Sequence, residues 1–220
     1  MGQGGGILGF PAGDPVRDYT EDEKRALTEN LLSVTREVHR GRFDDRPLST
    51  ALLAELHARI FSGVRRFAGA LRGPRRGSQY LTFGPNRSSH RDEVPAQLEA
   101  VMQRAEASRK SLIENTQSQD YDLSAIRLGV WIQAEVIRIH PFEDGNGRAS
   151  RLLTACALTR LGVAPIPIDA AKQEYIDLLN AYFAGHSPIT KLVDLHLRIA
   201  AGIAWVDVDA SDTLGPSDRQ

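Results

Sequence analysis

At 220 residues, with 41% hydrophobic and 25% charged side chains, the chain has the makeup of one soluble globular domain, which excludes a disordered or collagen-like polymer. Its 27 basic and 28 acidic residues leave a net charge of -1, so nothing global draws it to nucleic acid or to an anionic membrane, and any anion site must be local. One cysteine excludes a disulfide framework and a cysteine-rich metal centre.

That cysteine, Cys156, stands in the apolar run Leu152–Leu158 and reads as a packed core thiol rather than a nucleophile. No apolar stretch reaches the roughly 18 residues of a membrane span, and the first residues lack the basic segment and apolar core of a signal peptide. A cytoplasmic location is expected, with delivery into another cell left open. The opening Met1-Gly2-Gln3-Gly4-Gly5-Gly6 has Gly6 where a myristoylation motif needs Ser or Thr.

In chain order, residues 1–19, rich in Gly, Pro and Asp, are expected to be a flexible leader, and residues 206–220 a polar, disordered tail. One domain is expected over 20–205. Thr20 and Glu23 form a capping-box pattern, after which Leu27, Leu31, Val34 and Val38 recur at helical spacing. A second helix starts near Ser49, with Leu52, Leu53, Leu56, Ile60 and Phe61 as its apolar stripe. His57 beside that stripe reads as a core or helix-surface histidine.

Residues 66–92 break the helical rhythm with Gly69, Gly73, Pro74, Gly77, Gly84 and Pro85 around Gln79–Phe83, which predicts a loop carrying a small hairpin. Helical pattern returns with Val94, Leu98, Val101, Met102 and Ala105, and again from Leu123 through Ile126, Val130 and Ile137. Two further helices are expected at about 171–184 and 188–204. Strand signals are nearly absent and no long repeat is present, so the class is all-α.

The informative stretch runs from His140-Pro141-Phe142-Glu143-Asp144 through Gly145-Asn146-Gly147-Arg148-Ala149-Ser150-Arg151. Pro141 stops the preceding helix, placing His140 near its C-terminus, where the dipole favours imidazolium and suits a general base. Gly145, Asn146 and Gly147 then open a new helix, whose unpaired backbone N–H groups make an anion site. Arg148 and Arg151 lie three apart, on the same side of the first turn. Asp144 would repel a bare phosphate but suits Mg²⁺ held between a carboxylate and phosphate oxygens. Each feature alone has an ordinary reading as turn, surface charge or structural histidine; their clustering within one segment is what argues for chemistry.

This segment resembles the signature of the Fic family, HPFx[D/E]GNGRxxR, and matches its eight fixed positions and its acidic position. Glu55-Leu56-His57-Ala58-Arg59-Ile60-Phe61 and Phe67-Ala68-Gly69 extend the similarity, which covers about 22–203. The resemblance implies the Fic fold, a compact helical bundle with a small β-hairpin flap that registers a target segment. It implies a protein adenylyltransferase, moving AMP from ATP with Mg²⁺ onto a Ser, Thr or Tyr hydroxyl of a target protein and releasing pyrophosphate. His140 would be the base, Asp144 the Mg²⁺ ligand, and Asn146 the residue orienting the α-phosphate. Gly145, Gly147 and Arg148 would hold the phosphates and Arg151 the γ-phosphate. Phe142 would anchor the loop, and Glu143, at a variable position, would be solvated surface.

By the same similarity Tyr175 and Asn180 are candidates for the adenine pocket, and Tyr80, Leu81, Thr82 and Phe83 for the flap. Tyr175 reads equally as a half-buried helix residue. Gly145 and Gly147 argue against the kinase branch of the superfamily, which replaces both. Transfer of UMP or phosphocholine, and a binding module without catalysis, remain alternatives. The family's inhibitory [S/T]xxxE[G/N] helix has no clean copy: Ser33 to Glu37 is followed by Val38, and Glu29-Asn30 is preceded by Arg25 at the Ser/Thr position. Restraint would then fall to a separate antitoxin-like partner, as in toxin pairs, or be absent.

Overall fold

A computed structural model describes residues 18–166 and 172–202; the expected tail and most of the expected leader lie outside them. The elements are α1 (Glu21–His39), α2 (Thr50–Ile60), β1 (Thr82–Phe83), β2 (Asn86–Arg87), α3 (Val94–Glu114), α4 (Tyr121–Ile139), α5 (Asn146–Arg160), α6 (Lys172–Phe183) and α7 (Ile189–Ala200). The architecture is an all-α bundle with one two-stranded hairpin. None of the helices among the described residues is long and apolar enough to cross a membrane.

Local chemistry sets the helix starts. Thr20 and Glu23 form the reciprocal capping box of α1, and the Ser49 hydroxyl accepts from the Leu52 N–H to start α2. Tyr19 corrects the expected extent of the leader. Its ring packs on the core, Arg65 lies 4.2 Å above it, and its hydroxyl donates to the Asp144 carboxylate.

Helix α4 is the axis of the bundle, because it has two apolar faces and each must be covered. One face joins α1, α2, α3 and α5 in a core that includes Leu52, Leu56, Leu98, Met102, Ile132 and Leu153. Its other face, with Ile126, Val130 and Ala134, meets Tyr175 and Leu179 of α6 and Leu192 and Val193 of α7. Cys156 is buried in the first core, and burial pushes its thiol up to about 12, so it stays protonated. Both ends of the informative segment are thereby fixed: α4 delivers His140 and α5 starts at Asn146.

Candidate functional site

His140 caps α4 in the left-handed conformation, at φ 57°. Its Nδ1 lies 3.0 Å from the Ile137 carbonyl, which can only accept, so Nδ1 carries the proton and Nε2 keeps its lone pair. The dipole argument predicts a stabilised imidazolium, and the structure reverses it. Burial of the ring lowers the His140 pKa from its usual value, and the nearby Arg72 charge acts in the same direction, against the Ile137 carbonyl and Asp144. The neutral imidazole is a ready base.

The loop after His140 is held from inside. His57 is fully buried, with its ring stacked 3.7 Å from Phe142 and 4.6 Å from Phe61. Its Nδ1 accepts from the Gly69 N–H at 2.9 Å, so Nε2 donates to the Asp144 carbonyl at 3.0 Å. Desolvation pushes its pKa down to about 4, which keeps this tautomer neutral. His57 is thus a core histidine, and one that fixes the loop.

Gly145 takes φ +76°, and a Cβ there would lie 2.2 Å from the Phe61 ring, so the backbone sits directly on that ring. Asn146, 2% exposed, clamps the loop: its Oδ1 accepts from the Phe142 N–H and its Nδ2 donates to the Phe142 carbonyl, both at 2.9 Å. The expected phosphate-orienting amide therefore already has two partners inside the protein. Gly147 leads into α5, and a Cβ on it would come no closer than 3.7 Å, to Arg151.

Asp144 accepts from the Gly145 N–H and pairs with Arg148 at 3.3 Å, besides its bond from Tyr19. Arg148 also lies over the Phe61 ring, 4.7 Å away. Together with the more exposed Arg151 it lines a cavity of about 370 Å³, bounded by Leu31, Thr35 and His39 of α1. Glu37 is on another face of α1, bonded to Arg59 at 2.7 Å and Arg42 at 2.8 Å. Among the described residues no three His, Cys, Asp or Glu side chains gather as a metal cluster. A lone carboxylate beside a helix N-terminus suits a cation that takes its other oxygens from phosphates and water, which fits Mg²⁺.

The hairpin covers this site. Phe83 of β1 stacks on His140 at 4.3 Å and meets Phe183 of α6 edge-on at 6.1 Å. Thr82 and Phe83 pair with Arg87 and Asn86. Leu81 and Tyr80 lie ahead of the paired strands, with Leu81 bonded to Ser88 and Tyr80 packed against His90 and Arg87. Asn180 accepts a 2.6 Å bond from Asn86, which ties α6 to the hairpin. Tyr175 is 7% exposed and part of the second core, with its hydroxyl bonded at 2.6 Å to Gln133, a residue that also lines the cavity of Arg148 and Arg151.

Two residues hold the hairpin stem. Glu143 is half-buried rather than solvated, and its carboxylate accepts from the Ser78 N–H at 2.5 Å and hydroxyl at 2.9 Å. Arg72, 1% exposed, donates five hydrogen bonds of 2.8–3.4 Å. They go to the carbonyls of Ile139 and His140 at the end of α4, and of Ser78, Gln79 and Ser89 in the stem. The sequence hides this role, because Arg72 stands in an arginine-rich loop where nothing marks the one that is buried.

Comparison with known proteins agrees with this architecture. The Fic/DOC family model matches residues 47–158, just over half of the chain. The chain is 30% identical over 129 residues to a protein adenylyltransferase Fic of Culex quinquefasciatus, covering 58% of this chain and 23% of that relative. It thus spans about a quarter of that relative's length. The N-terminal Fic domain of a Bartonella effector protein, from Bartonella sp. AR 15-3, has the same fold, with a TM-score of 0.65 at 14% identity, covering 94% of this chain and 98% of that one. A Bartonella quintana Fic domain solved with bound ADP gives 0.56 at 17% identity, covering 86% and 92%.

Proposed function

The chain belongs to the Fic/DOC family, and on that premise we propose that it is a protein adenylyltransferase, moving AMP from ATP onto a hydroxyl side chain of a target protein. The observation that carries the reading is a neutral His140, pinned through Nδ1, beside a helix N-terminus flanked by Arg148 and Arg151. The relative of similar sequence named as an adenylyltransferase and the neighbour of similar fold solved with ADP support ATP as the donor.

In the reaction, the target oxygen forms a bond to the α-phosphorus while the bond from that phosphorus to the pyrophosphate oxygen breaks. His140 Nε2 takes the hydroxyl proton. The N–H groups opening α5 and the Arg148 and Arg151 guanidiniums offset the charge on the phosphates. Asp144 would hold Mg²⁺, which when bound neutralises phosphate charge. The carboxylate meanwhile gives up part of its pairing with Arg148 and Tyr19, leaving Arg148 free to turn to phosphate. His57 and Asn146 keep the loop in shape through these exchanges, and Phe83 holds the target strand over the imidazole.

Intact-mass spectrometry after incubation with ATP and Mg²⁺ tests the donor. The expected result is a gain of one AMP on the protein itself or on an acceptor. A gain of UMP from UTP, or of phosphocholine from CDP-choline, with none from ATP, would overturn the assignment.

Restraint by a glutamate of this chain is not part of the reading, because Glu37 is bound to Arg59 and Arg42 while Leu31, Thr35 and His39 face the arginine cavity. Glu37→Gly is expected to cost about 1–2 kcal/mol of stability, from the loss of partly exposed ion pairs and the poor helix propensity of glycine within α1. It should leave ATP-dependent labelling unaccelerated. A rise of tenfold or more, about 1.4 kcal/mol of barrier, would make Glu37 an inhibitor. With Glu37 so engaged, a separate partner that reaches Arg151 is the proposed source of restraint, and its absence the alternative.

A further inference from the structure

The loop that carries the hairpin has a charge pattern that the rest of the chain does not share. Residues 61–91 contain seven arginines and no aspartate or glutamate, in a chain whose net charge is -1. Three of these arginines are used internally. Arg65 pairs with Glu23 at 2.9 Å, Arg72 binds the carbonyls described above, and Arg91 donates to the Gly77 carbonyl at 2.9 Å. Arg66, Arg75, Arg76 and Arg87 are exposed, with no acidic partner among the described residues.

Three of the four lie on the hairpin or on the turn before its stem. Arg87 is on β2 opposite Thr82, with its guanidinium held 3.4 Å over the Tyr80 ring, so its position is fixed while its charge faces solvent. Arg75 and Arg76 form the turn closed by the Gly73–Arg76 bridge, immediately before the stem at Ser78. Arg75 holds a left-handed φ of 65°, which orients the pair outward on a tight turn. The carboxylates by the stem have other cations beside them: Glu143 acts on the Arg72 charge, and Asp92 faces His90 and Arg91. Glu93 is exposed at the start of α3 and leaves the excess positive.

We propose that Arg75, Arg76 and Arg87 form a docking surface for an acidic segment of the target protein, adjoining the hydroxyl that is presented to His140. The proposal rests on the adenylyltransferase reading and names the target class for that same site. A hairpin edge recognises peptide backbone and says little about side chains; arginines on the hairpin and on the turn before its stem supply the missing selectivity, because guanidinium groups bind carboxylates in a defined geometry. A peptide fits better than nucleic acid. A sequence pI of about 6.6 gives no broad phosphate-tracking face beyond this local group.

The test uses two fluorescent peptides of equal length, each with a central tyrosine and serine, flanked by glutamates in one and glutamines in the other. Anisotropy titrations at low salt should show the acidic peptide binding about tenfold tighter, a margin that added salt reduces through screening. Combined Arg75→Gln, Arg76→Gln and Arg87→Gln substitution should abolish the margin, in a protein whose circular dichroism and melting are unchanged. Equal affinity for the two peptides, or a margin that survives the triple substitution, overturns the proposal. Displacement of the acidic peptide by a lower concentration of a DNA oligonucleotide also overturns it, in favour of nucleic acid.

Mass spectrometry of the same peptides with ATP separates the two ideas. An acidic preference in binding with no AMP added keeps the docking surface and removes the adenylyltransferase reading. AMP added equally to both peptides keeps that reading and removes the surface.

Discussion

Substituting His140 by alanine is expected to lower adenylyl transfer by about 10²–10⁴-fold, the usual contribution of a general base. ATP binding should change by less than about threefold, because the imidazole lies at the end of α4 and the phosphates would be held by the start of α5. The pH profile carries a second signature. His140 must be neutral to accept a proton, and burial lowers its pKa from the usual 6.5, so the acid limb of kcat/KM should fall at a pH below 6.5. The sign follows from which form is active: lowering the pKa extends the active form toward acid. Rapid-quench measurement of labelled product across that range checks both statements. Transfer that survives His140→Ala undiminished would remove the base from His140.

The features legible in the sequence are those carried by local pattern. The capping box at Thr20, the cap at Ser49 and the apolar faces of the long helices depend on residues three or four apart, and each helix was readable from them. The grouping of His140, Asp144, Arg148 and Arg151 was likewise readable, because they lie on one loop and its adjoining helix turns. What stayed hidden is held by contacts distant in the chain. Glu143 and Ser78 are 65 residues apart, as numbered in the chain, and Asp144 and Tyr19 are 125 apart. Nothing near Glu143 marks it as a stem anchor, and the polar sequence before Thr20 gives no hint that Tyr19 reaches the site.

Tyr175 was legible only as two alternatives, for a related reason. An aromatic residue on the helix after the signature suits a base-stacking wall as well as it suits the core, and only the partner decides. That partner is Gln133, on α4, which gives the buried hydroxyl its hydrogen bond. At His140 the dipole and the Ile137 carbonyl favour the imidazolium, and burial of a ring covered by Phe83 outweighs them, which no local pattern reveals.

Replacing Arg72 by methionine tests how much the site depends on a residue away from the reacting atoms. Methionine matches the aliphatic stem of arginine and has no donors, so the carbonyls of Ile139, His140, Ser78, Gln79 and Ser89 lose their common partner. Unpaired buried carbonyls cost roughly 1–3 kcal/mol each before relaxation and entry of water. Since relaxation recovers part of this, a net loss of at least about 3 kcal/mol is expected in urea unfolding. Arg72→Lys should recover only a fraction, because one ammonium cannot span carbonyls on both α4 and the stem. Hydrogen exchange supplies the local test. The Leu81 and Ser88 amides, bonded within the hairpin, should exchange faster under native conditions in Arg72→Met, by more than the amides of α3 do. If the hairpin is what presents the target, transfer to a protein hydroxyl should fall further than release of AMP into water, because water needs no presentation. A variant with unchanged unfolding midpoint and hairpin exchange would show that Arg72 does not tie the base to the flap. A uniform loss across all helices and both reactions would reduce its role to that of an ordinary buried residue.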